Sequence, residues 1–149
     1  ESLYIIGSSS IHSPGELYVI DINSITKPDN KRNKRMLDLA AVIIILTFFP
    51  FLLFLVDKPF GLVKNSFRIL IGKLSWIGYY FPRKEDQTQW NLPKIKPGIL
   101  SPLDALDKQL VDTPTIQKLN MLYAKDYRLW NDINILWKGL RELGRKENF

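Results

Sequence analysis

The apolar run at residues 39–56 is the feature that most constrains how this chain can fold. It holds eighteen consecutive residues without a charge, in the order LAAVIIILTFFPFLLFLV. As a helix it would rise about 1.5 Å per residue and reach roughly 27 Å, close to the thickness of a bilayer's hydrocarbon core. A basic cluster at residues 31–35 lies shortly before it. The sequence therefore predicts a membrane helix within residues 31–60.

Pro50 lies inside this run and is expected to kink or break the helix, because proline lacks the backbone donor and clashes with the preceding turn. Residues 39–49 alone would reach about 16 Å, half of a bilayer. Two topologies remain, a kinked transmembrane helix and a re-entrant helix that returns to the side it entered from. Cations flank both ends of the run, which favours the re-entrant form with both ends in the cytoplasm. The residues predicted to contact the membrane or lipid phosphate are Lys34, Arg35, Asp38, Pro50, Lys64, Arg68 and Lys73.

The net positive charge of the chain predicts an anionic partner. The 149 residues include 21 basic and 15 acidic side chains, for a formal net charge of +6. Such an excess attracts anionic lipid headgroups or nucleic acid. Because the basic residues cluster around the apolar run, we predict a lipid bilayer as the partner and no nucleic acid. There is no cysteine, which excludes disulfides and cysteine-ligated metal sites.

Asp38 lies at helical spacing from two cations of the basic cluster. Lys34 and Arg35 are four and three residues before it, so the three side chains would share one helix face. Ion pairing there would lower the cost of placing Asp38 at a membrane interface. Alternatively, Asp38 is a solvated acid that interacts favourably with the helix N-terminus. Both interpretations remain open at this point.

The chain divides into three parts by pattern. Residues 1–30 hold two β-prone segments, 3–6 and 16–22, which form either a hairpin or edge strands of a sheet whose other strands lie upstream. Since the first residue is Glu1 rather than Met, we expect the chain to be either a piece of a longer protein or a truncated gene product. The membrane helix occupies residues 31–60, and residues 61–149 form an amphipathic helical region. The predicted fold class is mainly α and membrane-associated.

The C-terminal part carries helical spacing that is interrupted by prolines. Apolar residues within 60–80 predict an amphipathic helix lying in the membrane interface. A short helix is predicted after Ser101, through Leu110, and a long one begins at the Thr113-Pro114 pair. Trp130 and Trp137 lie a heptad apart on that last helix. They are predicted to be either core residues or interfacial anchors.

Motifs for known chemistry are scarce. His12 is the single histidine and lies in a serine-rich turn, where nothing supports a catalytic triad. No metal-binding HExxH motif and no phosphate-binding glycine motif occurs. The adjacent acids Glu85 and Asp86 lie in a polar segment that reads as a solvated loop. The residues alone therefore predict no catalytic group, no metal site and no cofactor.

Four short motifs, taken together and in order, resemble the bacterial sugar transferases, the monotopic polyprenyl-phosphate phosphosugar transferases. The KRxxD start corresponds to residues 34–38, and the family's G-x-x-S-x-x-G motif corresponds to residues 72–78. The KPGI motif corresponds to residues 96–99, and the closing helix resembles residues 127–136. The positions that match, or lie beside an altered motif, are Gly72, Ser75, Gly78, Arg83, Lys96, Pro97 and Gly98.

The resemblance implies a fold and an activity, and it also marks what is missing. Members of that family have a re-entrant membrane segment and move a sugar phosphate from a nucleotide sugar to polyprenyl phosphate, with magnesium. Their Asp-Glu dyad lies between the membrane segment and the G-x-x-S motif. Here residues 57–71 fill that interval, and Asp57 is their only acid. The Pro-Arg-Pro motif is also altered, since Pro82 is followed by Arg83 but preceded by Phe81.

Three hypotheses follow from this comparison. The first is a membrane-docking, catalytically degenerate module of a larger glycosyltransferase-type protein, at the cytoplasmic face of a bacterial inner membrane, in surface polysaccharide assembly. It would bind the bilayer, polyprenyl-phosphate-linked sugar and an upstream glycosyltransferase domain or partner. The second is one part of an active transferase whose catalytic residues come from an upstream domain. The third is a structural membrane anchor of a protein complex.

Overall fold

The computed structural model describes residues 3–7, 17–21, 23–106 and 111–148. Two predicted features lie outside these residues, namely the turn that contains His12 and the position of Leu110 at the end of the predicted short helix. The elements are mainly helical, with two small sheets. In chain order they are β1 (Leu3–Gly7), β2 (Leu17–Asp21), α1 (Pro28–Thr47), α2 (Phe49–Leu52), α3 (Pro59–Leu70), β3 (Ser75–Ile77), α4 (Asp86–Gln89), β4 (Gly98–Leu100), α5 (Thr113–Lys125) and α6 (Leu129–Lys138). Short 3-10 helices occupy Ser24–Thr26, Pro102–Ala105 and Leu140–Glu142.

The apolar run does not form one helix. Helix α1 begins at Pro28, where proline's missing N–H costs nothing, and ends at Thr47. Pro50 lies in the first turn of the separate short helix α2, so the chain breaks at Phe48. Only nine residues of α1 belong to the uncharged run, and the rest of the helix carries the charged residues of the basic cluster and its neighbours.

The predicted fold class is therefore wrong. Within the described ranges, none of the helices combines the length and the apolar character needed to cross a bilayer. The predicted membrane helix at 31–60, whether transmembrane or re-entrant, is replaced by α1, α2 and the start of α3. Part of the run is buried in the protein itself, because Val42 and Ile45 face the core at 0% and 5% exposure.

The helices predicted to lie in a membrane interface also bury their inner faces in the protein. Helix α3 turns Leu62 and Ile69 into the core and packs against α1. The single long helix expected from Thr113 onward is divided into α5 and α6, because the backbone leaves the helical region at Asp126 and is extended at Arg128. These helices stabilise one another by burying apolar area, at roughly 25 cal/mol per Å².

Two separate sheets complete the fold. Strands β1 and β2 form an antiparallel hairpin in which Tyr4 pairs with Ile20 and Ile6 with Tyr18. Strands β3 and β4 form a parallel pair with Ser75 opposite Gly98. This parallel pair, which sequence patterns do not predict, lies in the core between α1 and α6, where Trp76 and Ile99 are fully buried.

The last residues of the chain hold α3 and β4 together. The amide of Asn65 on α3 donates to the carbonyls of Leu143 and Arg145 at 2.9 and 2.8 Å. The backbone N–H of Asn148 donates to the carbonyl of Gly98 at 2.7 Å. These bonds fix the C-terminal segment against α3 and β4.

Candidate functional site

A buried polar network joins α1 to α5 and α6. The ammonium of Lys34 donates to Asp132 Oδ2 and to the Tyr123 hydroxyl, both at 2.9 Å. The hydroxyls of Tyr123 and Tyr127 donate to the same carboxylate at 2.6 and 2.9 Å. The side chain of Lys34 is 10% exposed and that of Asp132 is fully buried. Lys34 was predicted to meet lipid phosphate, but the structure commits its ammonium to this internal network.

The two tyrosines of this network remain protonated donors across the neutral pH range. Burial is the main cause that raises the pKa of Tyr123, and the nearby Asp132 carboxylate adds to it. The same two causes, in the same order, raise the pKa of Tyr127. The network therefore carries one cation and one anion, with both oxygens of Asp132 satisfied by donors.

Asp38 is buried and hydrogen-bonded, so it is not a solvated acid. Its Oδ1 accepts from the Ser75 hydroxyl at 3.0 Å and from the Trp76 backbone N–H at 3.1 Å. The Trp76 indole N–H donates to the Asp38 carbonyl at 3.2 Å. Desolvation raises the pKa of Asp38, and this effect outweighs the opposite influence of Lys34 and of the two donors. Asp38 thus ties α1 to β3.

Arg35 and Gly72 together end α3. The Arg35 guanidinium donates to the carbonyls of Ile69 and Leu70 at 2.6 and 2.9 Å, where a cation interacts favourably with the helix dipole. Gly72 has a φ of +81°, and its N–H donates to Ile69 while the next N–H donates to Arg68. This is a Schellman ending, which requires the left-handed conformation that glycine adopts without strain.

Gly78 and Gly98 pack backbone against backbone where β3 and β4 end and begin. A Cβ on Gly78 would lie 2.5 Å from the Gly98 nitrogen, and a Cβ on Gly98 would meet Gly78 more closely still. The Ser75 N–H donates to the Pro97 carbonyl at 3.0 Å beside them. The motifs at residues 72–78 and 96–99 are about twenty residues apart in sequence, and they pack directly against each other in the structure.

A pocket of about 480 Å³ opens beside the contacts that Arg35 and Ser75 make, and we call it the cationic pocket. Its charged lining consists of five cations and one acid, and one of the cations, Lys34, belongs to the internal network. The full lining is Ile25, Lys31, Lys34, Arg35, Asp38, Ser75, Lys94, Ile95 and Lys96. Its positive excess suits an anionic ligand. Lys31 belongs to the basic cluster of the sequence, whereas Lys94 gives no sequence signal and becomes meaningful only through this placement.

A second surface is apolar and lies at the turn between α1 and α3. Six large apolar side chains are exposed there, with Phe54 and Phe60 at 94% and 91%. We call this surface the apolar tip, and its members are Phe48, Phe51, Leu53, Phe54, Leu55 and Phe60. Pro50 is exposed in the same turn. An exposed apolar surface of this kind marks a binding surface in a native protein.

An apolar groove of about 720 Å³ runs between α1 and α6 and shares Phe48 with the apolar tip. Trp130 and Trp137 line it and are 72% and 77% exposed. The core alternative for these two tryptophans is therefore wrong, and the interfacial-anchor alternative stays a prediction.

The remaining predicted residues are placed as follows. Arg68 forms a two-pronged ion pair with Glu147, with both N–O distances at 2.8 Å. Lys64, Lys73 and Arg83 are exposed. In the part of the chain that the structure describes, no group of three or more His, Asp or Glu side chains is placed to hold a metal ion.

Comparison of the chain with models of known protein families and with curated proteins finds no match.

Proposed function

We propose that this chain is a docking module of the sugar-transferase kind that binds the surface of a lipid bilayer and has no transfer chemistry of its own. In this proposal it acts in bacterial surface polysaccharide assembly, at the cytoplasmic face of the inner membrane. It holds an upstream glycosyltransferase domain or partner close to polyprenyl-linked sugars. The observation that carries the proposal is the apolar tip, where six large apolar side chains are exposed at one turn.

The apolar tip is suited to a bilayer interface rather than to crossing a bilayer. Burying one Phe or Leu side chain in an apolar phase yields about 1.5–3 kcal/mol, so a few such side chains suffice for reversible attachment. Lys58 and Lys64 are exposed in the segments next to Phe60, within reach of anionic headgroups. Each cation near an anionic surface adds about 1 kcal/mol. Apolar insertion and charge attraction would act at the same end of the molecule.

The sugar-transferase part of the proposal is supported by the way the four motifs meet. The first and last motifs meet through Lys34 and Asp132, the first and second through Asp38 and Ser75, and the second and third through Gly78 and Gly98. These contacts give the shared residue types a physical reason to occur together. The absence of the family's Asp-Glu dyad from residues 57–71 supports a module without transfer activity.

Bilayer binding is tested by co-sedimentation with phosphatidylcholine vesicles, with and without phosphatidylglycerol. Phe54→Asp combined with Phe60→Asp should weaken vesicle binding by more than about tenfold, because two inserted side chains are replaced by charges. The matched control is Met36→Asp combined with Leu122→Asp, which changes two exposed apolar residues outside the tip. The control should bind like the unchanged chain. Equal binding by the tip variant, or equal loss in both, overturns the proposal.

Tryptophan fluorescence gives an independent readout of the same event. Trp76 and Trp90 are already buried, so a vesicle-dependent blue shift would come from Trp130 and Trp137.

The absence of transfer chemistry is tested by assaying the purified chain with nucleotide sugars, polyprenyl phosphate and magnesium. Turnover by the chain alone would contradict the degenerate assignment while leaving bilayer binding intact.

A further inference from the structure

We propose that the apolar groove between α1 and α6 is a dimer interface and that a second copy of this chain covers it. The proposal goes beyond bilayer docking, because the apolar tip needs no partner chain. It is carried by a surface that holds both a groove and the side chains that would fill one. Trp130 and Trp137 protrude from this surface, and the groove of about 720 Å³ lies beside them.

The floor of the groove is made of small and uncharged residues. Ala40 and Ala41 lie on α1 between the larger Leu37 and Ile44, so short side chains leave room at the middle of the floor. Every described residue that lines the groove is uncharged. Such a depression accepts a large apolar side chain from a facing helix, as a knob enters a hole.

The wall formed by α6 presents an apolar row at the spacing of a helix that packs on another helix. Trp130, Ile133 and Trp137 follow one another by three and four residues, so they lie along one face. Asp132 and Ile135 are buried on the other side of the helix, so the row points away from the core of its own chain. All three side chains of the row are exposed. The outer face of α6 is therefore free for another helix.

The exposed apolar area is large enough for a stable dimer. Trp130 and Trp137 are 72% and 77% exposed, and Ile44, Phe48 and Ile133 add to them at 58%, 53% and 37%. With roughly 250 Å² for a whole Trp side chain and less for the others, these residues expose on the order of 600 Å² per copy. Two copies would bury about 1,200 Å², where stable interfaces begin. The face reaches this range before its flanking residues are counted.

The same face supplies the knobs and the groove, which is what a two-fold symmetric interface requires. In such an interface each copy contributes the same patch, so the indoles of one chain enter the groove of the other and the reverse. Insertion into a bilayer would use the indoles alone. A second copy uses the indoles and the groove together, and it therefore accounts for both features.

The direction of the helices limits how the two copies can be arranged. Helix α6 begins beside Lys34, which binds Asp132, and its far end lies near the apolar tip, where the Asp57 N–H donates to the Arg141 carbonyl at 3.1 Å. Since α1 also ends at the tip, the groove runs lengthwise towards it. A two-fold axis along the groove places both tips at one end, where both can contact one bilayer. This arrangement, unlike the dimer itself, rests on the proposed function.

Bilayer attachment and dimer formation would reinforce each other. Chains held by their tips share one plane, which raises their effective concentration. The tryptophans that line the groove would then be buried by the second copy when vesicles are added, so a vesicle-dependent blue shift is expected of the dimer too. Dimer formation without vesicles distinguishes the second copy from lipid.

The first test is sedimentation velocity of the full chain without vesicles, over a range of protein concentrations. The unchanged chain should pass from monomer to dimer as the concentration rises. Trp130→Asp combined with Trp137→Asp should raise the dissociation constant at least about thirtyfold, because large aromatic anchors of the interface are lost. The matched control is Phe54→Asp combined with Phe60→Asp, which makes the same kind of change at the tip and should dimerise like the unchanged chain.

A second variant keeps the test independent of the tryptophans themselves. Ala40→Lys leaves both indoles in place and puts a charge on the floor of the groove, at a position that is exposed in the single chain. It should also weaken the dimer, while circular dichroism shows an unchanged helix content.

Cross-linking tests the contact directly. The chain has no cysteine, so Ile133→Cys introduces a single reactive thiol on the row. A short bis-maleimide should then join two copies. Leu122→Cys is the control, because Leu122 is exposed outside the groove, and it should give no covalent dimer.

The proposal is overturned if the unchanged chain stays monomeric at every concentration, or if the groove and tip variants dimerise alike. A monomeric chain whose tryptophans shift only with vesicles assigns the groove to lipid and overturns it as well. Failure of bilayer docking gives a different result, namely a chain that dimerises and does not bind vesicles.

Discussion

Lys34 and Asp132 form a buried ion pair across 98 residues of sequence, with Lys34 Nζ 2.9 Å from Asp132 Oδ2. The pair joins the N-terminal half of α1 to the first turn of α6. Tyr123 and Tyr127 surround it, and the Lys34 ammonium lies 5.6 and 5.8 Å from their ring centres. Since every charge is matched by a donor or acceptor, the arrangement is sensitive to the loss of a single member.

Removing one member of this pair should destabilise the fold strongly. Lys34→Met leaves the Asp132 carboxylate buried without its cation, and we expect a loss of about 3–5 kcal/mol in the free energy of unfolding. Urea denaturation followed by circular dichroism measures it. Lys34→Met combined with Asp132→Leu should recover part of the loss. Arg32→Met, which removes one member of an exposed pair, is the control and should change stability little. Equal stability of Lys34→Met and Arg32→Met would contradict the buried role.

Gly78 should tolerate no side chain. In Gly78→Ala the new Cβ would lie 2.5 Å from the Gly98 nitrogen, so the two strands must separate. We expect a loss of about 1–3 kcal/mol, as for other overpacked sites. Gly72→Asn is the matched control, because asparagine tolerates the left-handed conformation and the nearest atom there is the end of a flexible lysine. Thermal unfolding compares the two. A larger loss in Gly72→Asn than in Gly78→Ala would show that the close approach of the strands is not limiting.

Local signals in the sequence predict the helix boundaries better than they predict the tertiary contacts. The helix break near Pro50 and the start of α5 at a Thr-Pro pair both follow from the missing N–H of proline. The apolar run misleads because its length suggests a bilayer, while α1 turns Val42 and Ile45 into the protein and leaves Ile43 and Ile44 exposed. A run with no polar face does not reveal which side is covered by other elements.

The candidate site depends on contacts that no local pattern encodes. Lys34 and Arg35 are adjacent in sequence, yet one points into a buried network and the other caps α3. Helix geometry places neighbours about 100° apart, so one member of a basic cluster can be structural while the other lines a pocket. Lys94 and Arg35 line the same pocket. Lys94 lies in the long crossover that the parallel pairing of β3 and β4 requires, and no local pattern places that crossover beside α1.

Neutralising Asp38 should remove a cost that grows with pH. Burial raises the pKa of Asp38 in the folded state above its value of 3.8 in a model peptide, so its protonated form is favoured there. This contribution to stability is complete below pH 3.8 and is lost as pH rises through the folded-state pKa. Asp38→Asn keeps an oxygen acceptor for Ser75 and Trp76 without the charge. The gain in stability of this variant over the unchanged chain should therefore increase from pH 4 to pH 7.

Asp38→Ala provides the control for that experiment. It removes the acceptor as well as the charge and leaves the Ser75 hydroxyl and the Trp76 N–H without their partner. We expect it to lose about 1–3 kcal/mol. Denaturant unfolding at several pH values measures both variants. A stability difference between Asp38→Asn and the unchanged chain that does not vary with pH would contradict the burial effect.

Glu147 should make the stability of the fold decrease in acid, because its hydrogen bond to Arg68 lowers the pKa of its carboxyl to about 2 from 4.5. A lowered pKa contributes stability that is fully present above pH 4.5 and is lost as pH falls towards 2. Glu147→Gln should lose this contribution at neutral pH and show a shallower loss of stability between pH 4.5 and 2. Glu85→Gln, which removes an exposed carboxylate elsewhere, should keep the acid dependence. Carbon-13 NMR titration reads the Glu147 carboxyl directly, and Arg68→Gln should return its pKa towards 4.5. A pKa of Glu147 that does not respond to Arg68→Gln would show that the ion pair does not set it.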